Sequence, residues 1–597
     1  MPLYFDVAGI QCFQEDRVHL WRDAVADAPE IVTDWLEGFY TSNGKAHGAM
    51  TEVQTWLASL ERVSFQQIAS HLIDTLASNH DLQTVDIVVV AHWTPDCVMG
   101  GSVTNFILHR IGALRAYAFA VSDCGLTAPF QALALIDRYL PPHRGKALLV
   151  SLDQPLLLHP TACFSPGAVR ASGAALWLDR QPGERRIALS PYPWTPHCAD
   201  RDDTPPEPVV VIGTLPPGFP PEAVISTITP DPSRLSAAPF YALADSLRAN
   251  PEGPTMLLSI AMANIPRDLQ RKEGNGMNIV DIATLINPKL TPLNALQARY
   301  RWGERNHKIF SRFLKLESAC LFPDASLPQL LKGCLEKLLS RHPDKRGRIR
   351  YLAYAHSLNG TFPFGADGLR KMAAPLLPAQ AEILSATQNS CASSFNALSL
   401  LTSLLSGEEE NGPRYAVLLT GEKCFHQTIQ YANQNGIFGE GCTALLLAED
   451  DTLPGCTVQG VGQAMIGGIG SRTYHSSPSL ENRYDHEFMP TMMRAIHRAL
   501  ADAGISADRL DGILPYHMSP ITFDRITDQL NVPRDRVFRT HLYRLGHCFC
   551  GDGFINLHDC CFSPSAPRSG YFLAVAAGVA GTFGARVFHR KEERSPR

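Results

Sequence analysis

The chain has 597 residues, 45% of them hydrophobic and 19% charged, a composition that excludes collagen-like and disordered material and allows several buried cores. Its 53 Lys and Arg against 58 Asp and Glu leave a net charge of −5, so no global positive field offers itself to nucleic acid. With 15 cysteines in so long a chain, and an opening MPLYFDVAGI that lacks a basic and apolar leader, a secreted disulfide framework is excluded and a cytoplasmic protein is expected.

In chain order, VDIVVVAHWTPD at 85–96 reads as a buried strand, and 33 residues beyond Ala91 stands Cys124, in a turn that feeds an amphipathic helix. KALLVSLDQP and ASGAALWLD at 171–179 read as the next two strands. RDDTPPEPV at 201–209 and RDLQRKEGNG at 267–276, rich in proline and charge, read as linkers. The same order then returns: IRYLAYAHSLNG at 349–360, Cys391 placed 36 residues beyond Ala355 in QNSCASSFNALSLLTSLLSG, RYAVLLTGEK, and FGEGCTALLLAED at 438–450. Strands separated by helix-length segments predict parallel β-α-β units, hence an α/β fold. The expected division is residues 1–266 and residues 277–597. From 488 the second copy continues as helix, strand, helix, and a further helix beyond Gly546. The run between Arg568 and Arg586 is too short and too rich in glycine to span a membrane and reads as strand, turn and strand.

Cys391 stands where a strand gives way to a helix whose apolar residues Phe395, Leu398, Leu401 and Leu405 recur at helical spacing. Unpaired N–H groups at a helix N-terminus favour thiolate over thiol, which suits a nucleophile; the same residue would also pack as a small buried hydrophobe. The segment GHCFCGDGFINLHDCC crowds thiols and imidazoles that could ligate zinc. It lacks two separated Cys-x-x-Cys knuckles, and buried small side chains, with no metal, are expected instead.

Four stretches of residues 277–597 together resemble a β-ketoacyl synthase III of the thiolase-fold superfamily: QNSCASSFNAL, GIFGEGCTALLLAED at 436–450, ILPYHMSPITFDRITDQLNVPRDRVFRTHLYRLGH at 513–547, and AVAAGVAGTFGARVF at 574–588. The resemblance implies a layered α-β-α-β-α fold in two tandem copies that form an intramolecular pseudo-dimer, the first copy degenerate and the second catalytic. It implies Cys391 as nucleophile and His517 in the family's His position. His547 stands 30 residues further on, where the family carries Asn. His517 is followed by Met-Ser-Pro instead of Gln-Ala-Asn, and Cys-His-His is the trio of the elongating synthases. Backbone N–H groups of Cys391 and of the Gly578–Val579 turn are expected to form the oxyanion hole.

The implied reaction is acyl transfer from an acyl-CoA or acyl carrier protein thioester through acyl-Cys391. Decarboxylative condensation with a malonyl thioester in specialised metabolite biosynthesis is the leading expectation. The alternatives are an acyltransferase forming an ester or amide, and a non-catalytic partner of a condensing enzyme. No cofactor, nucleic acid or membrane enters, and homo-oligomers are compatible. In the first copy Cys124 takes the nucleophile's place, with His92 and His109 as the imidazoles within reach, but VVVIGTLPPGF ends without His and no counterpart to Gly546–His547 is expected. By the same resemblance, Trp302 with Arg299, Arg301, Arg305 and Lys308 would hold coenzyme A, and Arg534, Arg536, Arg539 and Arg544 would dock a carrier; solvated charged faces read equally well.

Overall fold

A computed structural model describes residues 3–14, 29–45, 63–96, 102–123, 125–140, 144–155, 168–181, 187–189, 209–213, 224–249, 255–259, 277–300, 302–365, 367–405, 414–430, 436–450, 452–469, 478–563 and 569–591. Both linker segments therefore lie wholly or almost wholly outside the described residues. The chain divides into two compact units, one of residues 1–26 and 51–271, the other of residues 27–50 and 272–597. No helix among the described residues is long and apolar enough to cross a membrane.

In the larger unit one strand plan occurs twice. The strands Asn278–Leu285, Ile349–Ala355, Glu382–Thr387, Tyr415–Thr420 and Cys442–Ala448, numbered one to five in chain order, lie side by side as 3-2-4-5-1. The second, third and fourth run parallel, and the fifth is antiparallel to the fourth and the first. The following strands Cys456–Met465, Leu510–Leu514, Gly570–Ala577 and Thr582–Arg590 lie as 2-4-5-1. A lone parallel bridge from Ile513 to Val537 marks the place of the third. The glycine-rich run is thus a strand pair joined by a turn, as its length requires. The two repeats join through their first strands, Asn278 opposite Thr457 and Ile279 opposite Cys456. Tyr415–Thr420 and Cys442–Ala448 lie in the middle of the sheet and are buried at every residue.

Covering helices decide where the chemistry sits. Ser393–Leu405 is buried at all positions but Ser399, Thr402 and Ser403, the signature of a helix inside a core instead of on its surface. Its counterpart in the second repeat, Asp552–Cys561, meets it through the rings of Phe395 and Phe554, 5.8 Å apart and edge to face. Arg586 ties both repeats together from a fully buried position, donating to Gly462 O at 3.3 Å and Phe395 O at 2.6 Å. The two central helices therefore share one core. Helix Pro29–Ser42, although early in the chain, belongs to this unit: Trp35 and Phe39 meet the Phe425 ring at 5.1 and 5.6 Å.

The smaller unit has the same order once. Tyr117–Ser122, Ile87–Ala91, Lys146–Asp153 and Ser172–Asp179 lie in that sequence and are followed by the short N-terminal strands Leu3–Phe5 and Ile10–Cys12, which is again 3-2-4-5-1. Strand Ile187–Leu189 pairs with Leu3–Phe5, and Thr255–Ser259, Val209–Gly213 and Val224–Ile228 form a separate parallel trio.

Candidate active site

Strand Glu382–Thr387 leads into a tight turn in which Gln388 and Ser390 have φ of 74° and 49°, a region costly for side chains with a Cβ. Cys391 follows in the single 3-10 turn Ser390–Ala392 that opens helix Ser393–Leu405, and it is 3% exposed. The turn places Cys391 two residues before the first residue of that helix. On the other repeat, Gly546, with φ 71°, lets the chain reverse so that His547 enters facing it. His547 Nε2 lies 3.1 Å from Cys391 Sγ, and Nδ1 hydrogen-bonds Asp552 Oδ2.

Asp552 begins its helix fully enclosed and is the hub of the site. Oδ1 accepts from the Cys548 N–H at 2.7 Å and lies 3.0 Å from His517 Nδ1; Oδ2 accepts from the His517 N–H at 2.6 Å and from His547. Burial alone would push its carboxyl up, but the charges of His517 and His547 outweigh burial and hold it well below the usual carboxylate range. For His547, burial alone would pull the pKa down; the Asp552 carboxylate and Cys391 outweigh it and push it up to about 10. The result is a Cys391–His547–Asp552 relay in which the acid orients the imidazole and the imidazole faces the thiol. Burial pushes the neighbouring thiols Cys424, Cys548 and Cys550 well above the ordinary range, which leaves them poor nucleophiles.

Of the residues expected from sequence, Cys391 and His547 are brought together. His517 is turned to other partners: Nε2 faces Asn556 Oδ1 at 3.0 Å, and Nδ1 faces Gly546 O at 3.2 Å as well as Asp552. Asn556 Nδ2 donates to Pro515 O at 2.7 Å, which fixes its oxygen toward His517. Both ring nitrogens of His517 thus face oxygens of other residues. The 578–580 turn lies against the nucleophile's own turn: a Cβ on Gly578 would stand 2.7 Å from Asn389 O and 2.8 Å from Ser390 Cβ. The Gly578 N–H, expected as an oxyanion donor, is spent on Thr582 O at 2.7 Å, which closes the hairpin. Val579 is 41% exposed beside it.

One expectation about coenzyme contacts needs correction. Trp302 is a core residue, 5% exposed, its ring 5.0 Å from that of Phe310, so it offers no face to an adenine. Arg534 and Arg539 are paired with Asp528 and Asp524. Arg301 and Cys124 lie outside the described residues. His517, Cys548 and Asp552 bring one nitrogen, one sulfur and one oxygen within 4.8 Å of one another. The sulfur reaches Gly546 O and the carboxylate already accepts from its neighbours, so hydrogen bonding accounts for the cluster.

The smaller unit also has a turn where no counterpart to Gly546–His547 was expected. Leu235, φ 48°, precedes helix Ala238–Ala249 as Phe549, φ 49°, precedes Asp552–Cys561. With these residues aligned, Ser233 stands at the place of His547 and Ala238 at that of Asp552. Both relay members are missing there.

Sequence reasoning missed Asp552, because an acid in the first turn of a helix is ordinary on electrostatic grounds alone. The available signal was a carboxylate entering an otherwise apolar helix, GDGFINL, five residues after His547.

No family model and no curated protein matches this chain. Among solved structures it is similar to ChlB3, an acyltransferase, at 15% identity and TM-score 0.46 over 53% of this chain and 98% of that one. It is similar to 3-oxoacyl-(acyl carrier protein) synthase III, FabH, from Pseudomonas aeruginosa PAO1 at 15% identity and TM-score 0.44 over 54% and 100%. Xanthomonas campestris OleA with bound lauric acid and lauroyl-CoA gives 10% identity and TM-score 0.44 over 52% and 98%.

Proposed function

We propose that residues 277–597 form a thiolase-fold acyltransferase that takes an acyl group from a coenzyme A or carrier-protein thioester onto Cys391 and passes it to a second substrate. The observation that carries this reading is the relay: a buried thiol 3.1 Å from an imidazole whose other nitrogen is held by a buried carboxylate. The Cys391 thiolate attacks the thioester carbonyl, the oxyanion is met by the N–H groups of Cys391 and Val579, and the departing thiolate takes a proton from His547. The doubled strand order in the larger unit and its single recurrence in the smaller support a thiolase-type duplication, with the first copy a degenerate, fused scaffold. That copy lacks both relay residues.

For the second stage there are two readings. Condensation with a malonyl thioester requires His517 and His547 to steady the enolate together as carbon dioxide leaves. Transfer to an oxygen, nitrogen or sulfur nucleophile requires one base, and the engagement of both His517 nitrogens by Asn556, Gly546 and Asp552 favours it. The test is free-thiol release from a panel of acyl thioesters, with either carboxyl-labelled malonyl thioester or a mixture of amines and alcohols as acceptor. Thiol release that Cys391→Ala abolishes is expected. Labelled carbon dioxide would select condensation, and an ester or amide without it would select heteroatom transfer. Release undiminished in Cys391→Ala would refute both.

A further inference from the structure

The loop after strand Ile349–Ala355 carries chemistry the relay does not use. Ser357 Oγ lies 3.3 Å from Cys391 Sγ, so the sulfur has a hydroxyl as well as the His547 imidazole on it. Once Cys391 is a thiolate it has no proton to give, and in that contact the hydroxyl must donate. A hydrogen bond to a charged acceptor is about twice as strong as one between neutral groups.

The loop is pinned from below by a buried carboxyl group, whose pKa burial pushes up to about 8. Glu422, fully buried just beyond strand Tyr415–Thr420, accepts from the Ser357 N–H on Oε1 and from the Leu358 N–H on Oε2, both at 2.8 Å. Two consecutive N–H groups on one carboxyl group fix the peptide between them, and with it the direction in which the Ser357 side chain leaves the chain. The smaller unit builds the same anchor from other residues. Asp153 Oδ1 accepts from the Trp93 N–H at 3.0 Å and the Thr94 N–H at 2.8 Å. His92 Nδ1 meets Thr94 O there, as His356 Nδ1 meets Leu358 O here. At the position of Ser357 the smaller unit has Trp93. Building the anchor therefore needs no hydroxyl, and the hydroxyl occurs in the unit that has the imidazole and the acid.

We propose that Ser357 is a further catalytic residue, donating its hydroxyl hydrogen bond to Cys391 Sγ whenever sulfur carries charge, and that Glu422 is the positioning residue that aims it. This deepens the acyl-Cys391 reading and rests on it. Sulfur is charged at two points. The thiolate is charged before it attacks. It is charged again when the acceptor adds to the acyl carbonyl, the carbon–sulfur bond breaks and its electron pair returns to Sγ. Ser357 keeps its proton throughout, so no other reactant enters.

The test is the rate of Cys391 alkylation by iodoacetamide from about pH 5 to about pH 10, read by intact mass with Cys391→Ala as blank. Ser357→Ala is expected to slow alkylation at neutral pH about tenfold and to move its titration to higher pH, with unchanged melting. Ser357→Thr, which keeps the hydroxyl, is expected within about threefold of the parent. Glu422→Gln is expected to move the profile in the same direction as Ser357→Ala. A Ser357→Ala profile that superposes on the parent, or a Ser357→Thr profile no better than Ser357→Ala, would overturn the proposal. Alkylation needs no acyl donor: a Ser357-dependent profile in a protein that no donor acylates would retire the acyl-transfer reading and leave the hydroxyl's contact with sulfur standing.

Discussion

Asp552→Asn is expected to slow acylation of Cys391 by roughly 10³-fold or more, on the scale seen when the orienting acid of a nucleophile–imidazole–acid relay becomes an amide. The acid accepts from His547 Nδ1 and stabilises the imidazolium, so that the proton given up by the Cys391 thiol stays on Nε2. An amide at that place can offer an N–H to Nδ1 instead, which leaves a neutral imidazole with its one proton already on Nε2 and no place there for the thiol's. Because Asp552 also accepts from the backbone of His517 and Cys548, the variant must be shown to fold. Single-turnover acylation by mass, beside a melting curve, separates the effects. A folded Asp552→Asn protein acylated within about tenfold of the parent would contradict the relay.

His547→Gln is expected to cost a similar factor in acylation and to change the response of stability to alkali. The folded protein holds the His547 proton up to about pH 10, against 6.5 for an ordinary imidazole. A raised folded-state pKa gives a stabilisation that is complete below the unfolded value and is lost as pH climbs through the folded one. The parent should therefore lose stability between about pH 6.5 and pH 10, by at most about 5 kcal/mol, relative to His547→Gln measured over the same interval. Melting temperature against pH for the two proteins reads this directly. Parallel curves would mean that the imidazole is not held as a cation by Asp552 and Cys391.

The sequence made the strand-turn-helix unit around Cys391 legible because its period and its small-residue turn are local properties, and the recurrence of that unit made the α/β plan legible. His547 was visible through its spacing from His517. What could not be read was which imidazole would face the sulfur: that depends on Asp552, whose partners are set by the turn Gly546–Gly551 and by Asn556 one helical turn further on. Ser357 was equally hidden, since its contact with Cys391 joins loops after two different strands. Gly578 was expected as an oxyanion donor beside Cys391; it lies against the turn of Cys391, yet its N–H closes a hairpin, a detail decided by the four residues of the turn itself. Trp302 was misjudged because an aromatic flanked by arginines looks the same whether its ring stacks on a ligand or meets Phe310 edge to face in a core.

The most direct test of the account is the intact mass of the purified protein after exposure to acyl-CoAs and acyl carrier proteins, beside Cys391→Ala and Cys124→Ala. The account predicts one acyl adduct, present in the parent and in Cys124→Ala, absent in Cys391→Ala. An adduct that survives in Cys391→Ala would contradict it.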